Sequence, residues 1–246
     1  MKKLFSIIYI LLFVTISQLM AQDMEPQEPT INPLAKIITE TGEETENTNY
    51  SGSAPLVVHF DPGIDNPENY SSYFEWRFYE NEIVEGQHVL VRHESETDFT
   101  FTKAGTHLIC LIGYFLNGND TIMTVTEEDY ITKTREPISI TISTSKLDFP
   151  NAFSPNGDGA NDIYKAKTGY QSIVEFKATI YNRWGQKLYE WTDPAGGWDG
   201  TYKGSNVKEG VYYVHVQAKG ADGRKYNIKQ DITLLRGYTE TASGDN

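Results

Sequence analysis

Four side chains that carry oxygen ligands, Asn156, Asp158, Asn161 and Asp162, fall within seven residues. Pro155, Gly157 and Gly159 are threaded through the same stretch. The proline fixes φ and the glycines permit φ > 0, so the stretch reads as a tight loop. A hard cation such as Ca²⁺ takes about six to eight oxygens from carboxylates, amides and carbonyls. Asn156, Asp158 and Asp162 could supply three side chains to a structural Ca²⁺. The distant bidentate Glu of an EF-hand is missing, so that motif fails. The other use of these residues is capping, with Asp158 and Asn161 holding backbone N–H groups in a turn. Either way the loop would stiffen the entry to a domain rather than catalyse.

Trp184, Trp191 and Trp198 stand near turns. They could form an aromatic platform for a glycan or a receptor, or pack inside a small sandwich. The five histidines, His59, His88, His93, His107 and His215, are scattered, and no Cys pair completes a zinc set with them. Cys110 is the one cysteine. It lies in the apolar run Leu108–Ile112 and reads as a buried thiol that packs as a small hydrophobe. Gly-x-Ser-x-Gly, His-Glu-x-x-His and P-loop patterns are absent, and the expectation is a protein without enzymatic activity. A net charge of -13 argues against nucleic acid and anionic membrane surfaces as partners.

The elements that must position these residues are strands. Residues 1–21 read as a signal peptide, with Lys2 and Lys3 before the apolar run Leu4–Ile16. Cleavage is expected between Ala21 and Gln22. The run is shorter than the ~20 residues of a spanning helix, so no transmembrane span is expected in the mature chain. Residues 22–50 are acidic and broken by Pro26, Pro29 and Pro33, and they read as a solvated leader with one short strand at Leu34–Thr39.

Residues 51–145 show period-two alternation between turn signals. Leu56, Val58 and Phe60 share one face, as do Phe74, Trp76 and Phe78. Trp76 is expected in the core against the opposite sheet, with carbohydrate stacking as its other use. Asn117–Asp120 is a hairpin turn carried by Asn-Gly. Residues 146–236 repeat the pattern, with Val174, Phe176, Ala178 and Ile180 on one face and Tyr212, Val214 and Val216 on another. Residues 237–246 form a polar tail expected to be disordered. The fold class is therefore all-β: two tandem Ig-like β-sandwiches after a signal peptide.

Three ordered blocks carry a resemblance. Phe149–Asp162, reading Phe-Pro-Asn-Ala-Phe-Ser-Pro-Asn-Gly-Asp-Gly-Ala-Asn-Asp, comes first. Ile180–Tyr189 and Gly197–Gly204 follow, the last succeeded by Glu209–Val214. Together they resemble the gliding-motility-associated C-terminal domain, the type B sorting domain of the type IX secretion system. The resemblance covers about residues 147–236. It implies that Phe153, Pro155, Asn156, Gly157, Asp158, Gly159, Asn161, Asp162, Asn182, Arg183, Trp184, Gly185, Trp198, Gly200, Gly210 and Tyr212 form the sorting motif. It also implies export to the cell surface or medium, with the periplasm as transit. The ten-residue tail departs from the family, whose members end near the block seen at Thr233–Arg236.

The first domain resembles a PKD repeat through Gly52–Phe60, Tyr73–Phe78 and Phe99–Leu108. It departs at His107, where that family has an aromatic, and at an insertion-like segment, Thr121–Glu136. These readings describe a secreted, surface-associated binding or adhesion protein. Its partners would be the type IX machinery and a surface protein or glycan. A structural subunit of the surface or secretion apparatus is the other reading.

Overall fold

The computed structural model describes residues 28–39, 42, 44–65 and 70–237. The signal peptide, the Ala21–Gln22 junction and all of the tail except Gly237 lie outside these residues.

The first sandwich contains β1 (Thr30–Ile31), β2 (Leu34–Ile38), β3 (Glu44–Glu46), β4 (Asn49–Gly52), β5 (Leu56–Asp61), β6 (Ile64–Asp65), β7 (Ser71–Glu80), β8 (Leu90–Arg92), β9 (Thr97–Phe101), β10 (Gly105–Asn117), β11 (Asp120–Val125) and β12 (Ile138–Ile142). One sheet has the order β3-β2-β5-β9; the other runs β4-β12-β10-β7-β8, with β11 also paired to β10. Alternation places Leu56, Val58 and Phe60 inward from one sheet, and Phe74, Trp76 and Phe78 inward from the other. Phe60 meets Trp76, Phe78 and Phe101 at ring-centroid distances of 5.5, 5.7 and 6.4 Å. Trp76 is fully buried, and its indole N–H donates to the carbonyl of Ser95 at 3.0 Å. Gly118 adopts φ 62° in the hairpin that the Asn-Gly pair requires.

The acidic stretch before residue 51 is a correction to the sequence reading. It is not only a leader: β2 to β4 belong to the two sheets of this sandwich, β1 pairs with β6 beside them, and Ile31, Ala35 and Ile37 are buried in its core. Charge and burial coexist because a strand alternates. Lys36, between the buried Ala35 and Ile37, points outward and pairs with Asp61 at 3.3 Å. β3 is an edge strand whose three residues are all exposed, which suits its glutamates. The segment Thr121–Glu136 is likewise structured. It supplies β11 and a short helix, α1 (Glu127–Ile131), opened by Asp129 accepting from the N–H of Thr126 at 2.7 Å.

The second sandwich contains β13 (Ala152–Phe153), β14 (Tyr164–Lys165), β15 (Ile173–Tyr181), β16 (Lys187–Trp191), β17 (Gly197–Trp198), β18 (Thr201–Tyr202), β19 (Ser205–Asn206), β20 (Gly210–Gly220) and β21 (Lys225–Leu234). Its main sheet has the order β13-β21-β20-β15-β16. Phe153, Tyr164, Trp191, Trp198, Val214, Val216, Ile232 and Leu234 form a separate core.

The two sandwiches are joined by buried polar contacts. Ser172, 1% exposed, holds the left-handed conformation at φ 51°. Its hydroxyl accepts from the N–H of Ala54 at 3.2 Å and meets the Ser143 hydroxyl at 2.8 Å. Its carbonyl accepts from the N–H of Ala221, whose own carbonyl accepts from Ala104. Ala221 packs with the core of the first sandwich. Ser145 donates to Asp222 at 2.7 Å and meets the Tyr226 hydroxyl at 2.9 Å.

Candidate functional site

Strand direction sorts the loops of the second sandwich to its two ends. β15 starts beside the junction at Ser172 and runs to a hairpin at Asn182–Gln186. β20 begins, and β21 finishes, at that same far end, where Gly210 pairs with Leu234. β13 lies parallel to β21 and also finishes there, delivering the chain into the Ser154–Asp162 loop. The motif loops around Pro155, Trp184, Gly200 and Gly210 are therefore gathered at the end remote from the first sandwich.

The loop Asn156–Asp162 is closed by its own hydrogen bonds. One Asp162 carboxylate oxygen accepts from the N–H of Asn156 at 2.9 Å and of Gly157 at 2.7 Å; the other accepts from Gly159 at 2.8 Å. Asp158 accepts from the N–H of Ala160 and from the Asn156 amide, each at 2.9 Å. The Asn156 side-chain oxygen accepts from the N–H of Asp158 at 3.0 Å. Gly157, Gly159 and Asn161 take φ of 83°, 88° and 53°, the left-handed values this winding needs. The N–H groups of Gly157, Gly159 and Asn156 hold the Asp162 carboxyl below its ordinary range.

Here the ligand residues of the Ca²⁺ reading serve as caps of the turn. A cation at Asp162 would face the N–H groups that already occupy both carboxylate oxygens. Among the described residues, no group of three or more His, Cys, Asp or Glu could hold a metal ion. The loop is a capped turn.

The hairpin is locked in the same way. The Asn182 side-chain oxygen accepts from the N–H groups of Trp184 and Gln186, each at 3.0 Å. Its amide donates to the Gln186 side chain at 3.0 Å, and Gln186 in turn donates to the Tyr202 hydroxyl at 3.1 Å. Gly185, at φ 78°, closes the turn. At its tip Trp184 is 75% exposed, and the Arg183 guanidinium lies 4.4 Å from the centre of its ring.

The three-tryptophan platform does not form. Trp191 and Trp198 are buried, Trp198 completely, against Phe176, Phe153 and Tyr212. Phe153 and Tyr212 are core residues too, and the Tyr212 hydroxyl donates to the carbonyl of Lys208 at 2.6 Å. The motif thus separates into core builders, turn formers and one displayed pair, Arg183 and Trp184.

Arg236 is the residue that sequence reasoning missed as part of the site. Its guanidinium donates to the carbonyls of Pro155 at 2.8 Å and Gly200 at 2.7 Å, tying two loops together. Gly200 has φ 77°, and a Cβ there would stand 3.0 Å from both Arg236 and Pro155. Glu209, next to Gly210 with its positive φ of 140°, accepts from the N–H groups of Arg236 and Gly237. The signal in the sequence was one arginine closing the Thr233–Arg236 block, with no local clue to partners 81 and 36 residues away.

Residues 147–234 match the family model of the CHU_C type IX secretion signal domain. The likeness of the first sandwich to a PKD repeat has no counterpart in that match. No curated protein matches the chain. Among solved structures, dimeric latent PorU from Porphyromonas gingivalis aligns with 86% of this chain and 20% of its own, at 11% identity and a TM-score of 0.29. This chain thus spans a fifth of PorU's length. The tetra-tandem repeat in the extending region of a large adhesion protein aligns over 85% of this chain and 68% of its own, at 11% identity and a TM-score of 0.26. At these scores neither likeness says anything about what this chain does. Among the described residues, no helix is long and apolar enough to cross a membrane.

Proposed function

We propose that this chain is a secreted, surface-associated binding protein, and that the type IX machinery reads its folded C-terminal sandwich at the far end. The first sandwich would be the working part and would carry no catalysis. Export of a chain bearing a type IX secretion signal domain follows from the match at residues 147–234. The observation that carries the mechanism is the exposure of Trp184 on a hydrogen-bonded hairpin, at the end the first sandwich leaves open. Trp and Arg are among the residue types enriched at binding hot spots. The core has no use for an indole that is 75% exposed.

The test is location. The native host, with and without its type IX translocon, is fractionated and probed with antibody to residues 51–145. Signal at the surface or in the medium that is lost in the translocon mutant, with periplasmic accumulation, supports the proposal. The same envelope location in both strains overturns it and favours a structural subunit of the apparatus, with the C-terminal sandwich as a docking module.

A further inference from the structure

Among the described residues, the outer face of the β4-β12-β10-β7-β8 sheet is covered at one end and open at the other. At one end α1 lies on it. There Glu127 accepts from Arg77 and from the Tyr79 hydroxyl, each at 2.5 Å, and Tyr79 is fully buried. At the other end Tyr73 and Tyr114 stand directly opposite each other on β7 and β10, 40% and 36% exposed. Their rings stack with centroids 5.3 Å apart and an interplanar angle of 20°.

The Tyr73 ring is held in place by polar groups. Its hydroxyl donates to Glu75 at 3.2 Å and lies 3.1 Å from Nδ1 of His93. The β7–β8 register, with Trp76 opposite Arg92, brings His93 opposite Glu75 on this same face. Glu75 is bonded in turn to Arg77. Burial raises the Glu75 carboxyl, but its bond to Arg77 and that residue's charge outweigh it and hold it below its ordinary range. Thr124 on β11, paired with Tyr114, adds an exposed hydroxyl beside the rings.

We propose that Tyr73 and Tyr114, with Glu75 and His93 at their edge, form a binding site for a neutral glycan. The inference names the ligand class of the first sandwich and rests on the binding reading above. A pyranose presents a flat C–H face and a rim of hydroxyls. The stacked tyrosines cover each other's inner faces, which leaves the outer face of Tyr114, on the side of Thr124, to match the pyranose face; the Thr124 hydroxyl and the exposed His93 imidazole are the polar groups for the rim. The rings are already ordered in the free protein, so little conformational freedom is lost on binding. An anionic Glu75, on a chain of net charge -13, disfavours acidic polysaccharides.

The test is affinity electrophoresis of the full mature chain in gels containing hydroxyethylcellulose, xylan, mannan or dextran, with alginate and heparin as acidic counterparts. Retardation is expected in at least one neutral gel and in neither acidic one. Tyr114→Ala should weaken it at least tenfold, and Tyr73→Phe, which keeps the ring and frees it from Glu75 and His93, about threefold. Unchanged melting of both variants shows that the fold is intact. No retardation in any neutral gel, equal retardation in the acidic gels, or full retardation of Tyr114→Ala overturns the site. Export of the Tyr114→Ala variant is scored alongside. Translocon-dependent export with no glycan retention sinks this inference alone; export that ignores the translocon sinks the wider reading.

Discussion

The hydroxyl of Ser172, in the second sandwich, accepts a hydrogen bond from the backbone N–H of Ala54, in the first, across 118 residues of sequence. Both groups are buried, so neither can turn to water. Ser172→Ala leaves that N–H without its partner, a cost of about 1–3 kcal/mol. Denaturant titration of the mature chain should show a lowered midpoint. Ser172→Gly, which relieves the left-handed strain but also removes the hydroxyl, should recover part of the loss.

Trp184 and Trp198 belong to one motif and should fail in opposite ways. Trp198 is fully buried, and Trp198→Ala should cost about 3–5 kcal/mol and remove the chain from the cell by degradation. Trp184→Ala should leave the melting temperature unchanged and cut surface export about tenfold or more, as loss of an anchor worth about 2 kcal/mol would. Export of Trp184→Ala at the normal rate would remove the hairpin from the recognition surface.

The depressed Asp162 carboxyl gives a pH dependence. A group whose folded pKa lies below its unfolded value, about 3.9, lends stability above that value and loses it as pH falls through the folded pKa. Melting temperature measured downward from pH 5 should therefore fall less steeply in Asp162→Asn than in the parent, from a lower starting point. Neither Ca²⁺ nor EDTA should move the parent's melting temperature, whereas a bound ion would raise it with concentration.

Arg236 holds the Pro155 and Gly200 carbonyls through two charge-assisted bonds. Arg236→Lys keeps the charge but cannot span both carbonyls with a planar fork. It should destabilise the chain by about 1.5–3 kcal/mol. It should also speed amide exchange at Gly157 and Gly159 relative to the central strands. Exchange rates unchanged in that loop would mean that the Asp162 cap holds it alone.

Much of the fold was legible because burial in a sandwich imposes a period of two. Leu56, Val58 and Phe60 announce β5, and Phe74, Trp76 and Phe78 announce β7, by their alternation alone. Of the strands before residue 51, β2 was legible as the short strand expected at Leu34–Thr39, with Ala35 and Ile37 as its inward positions. β1, β3 and β4 were not, because two to four residues in a stretch dominated by carboxylates show no alternation. The five residues of α1 are too few for a helical period to show. The motif residues themselves were legible, but not their division of labour. Trp184 and Trp198 look alike in the chain, and only strand direction and packing show which one faces solvent. The Arg236 contacts are tertiary, and nothing adjacent to that arginine points to Pro155 or Gly200.

The junction has a consequence for any other passenger carried by this C-terminal sandwich. Ser172 and Ala221 are capped by Ala54, Ser143 and Ala104, all of them residues of the first sandwich or its exit. A foreign protein fused ahead of residue 147 would leave the far end, with Trp184 and Arg236, unaltered. It would also leave a seam of polar groups and a packed alanine open to water at the near end. Portability of the signal and stability of the hybrid are thus separable traits, written into opposite ends of the same three strands.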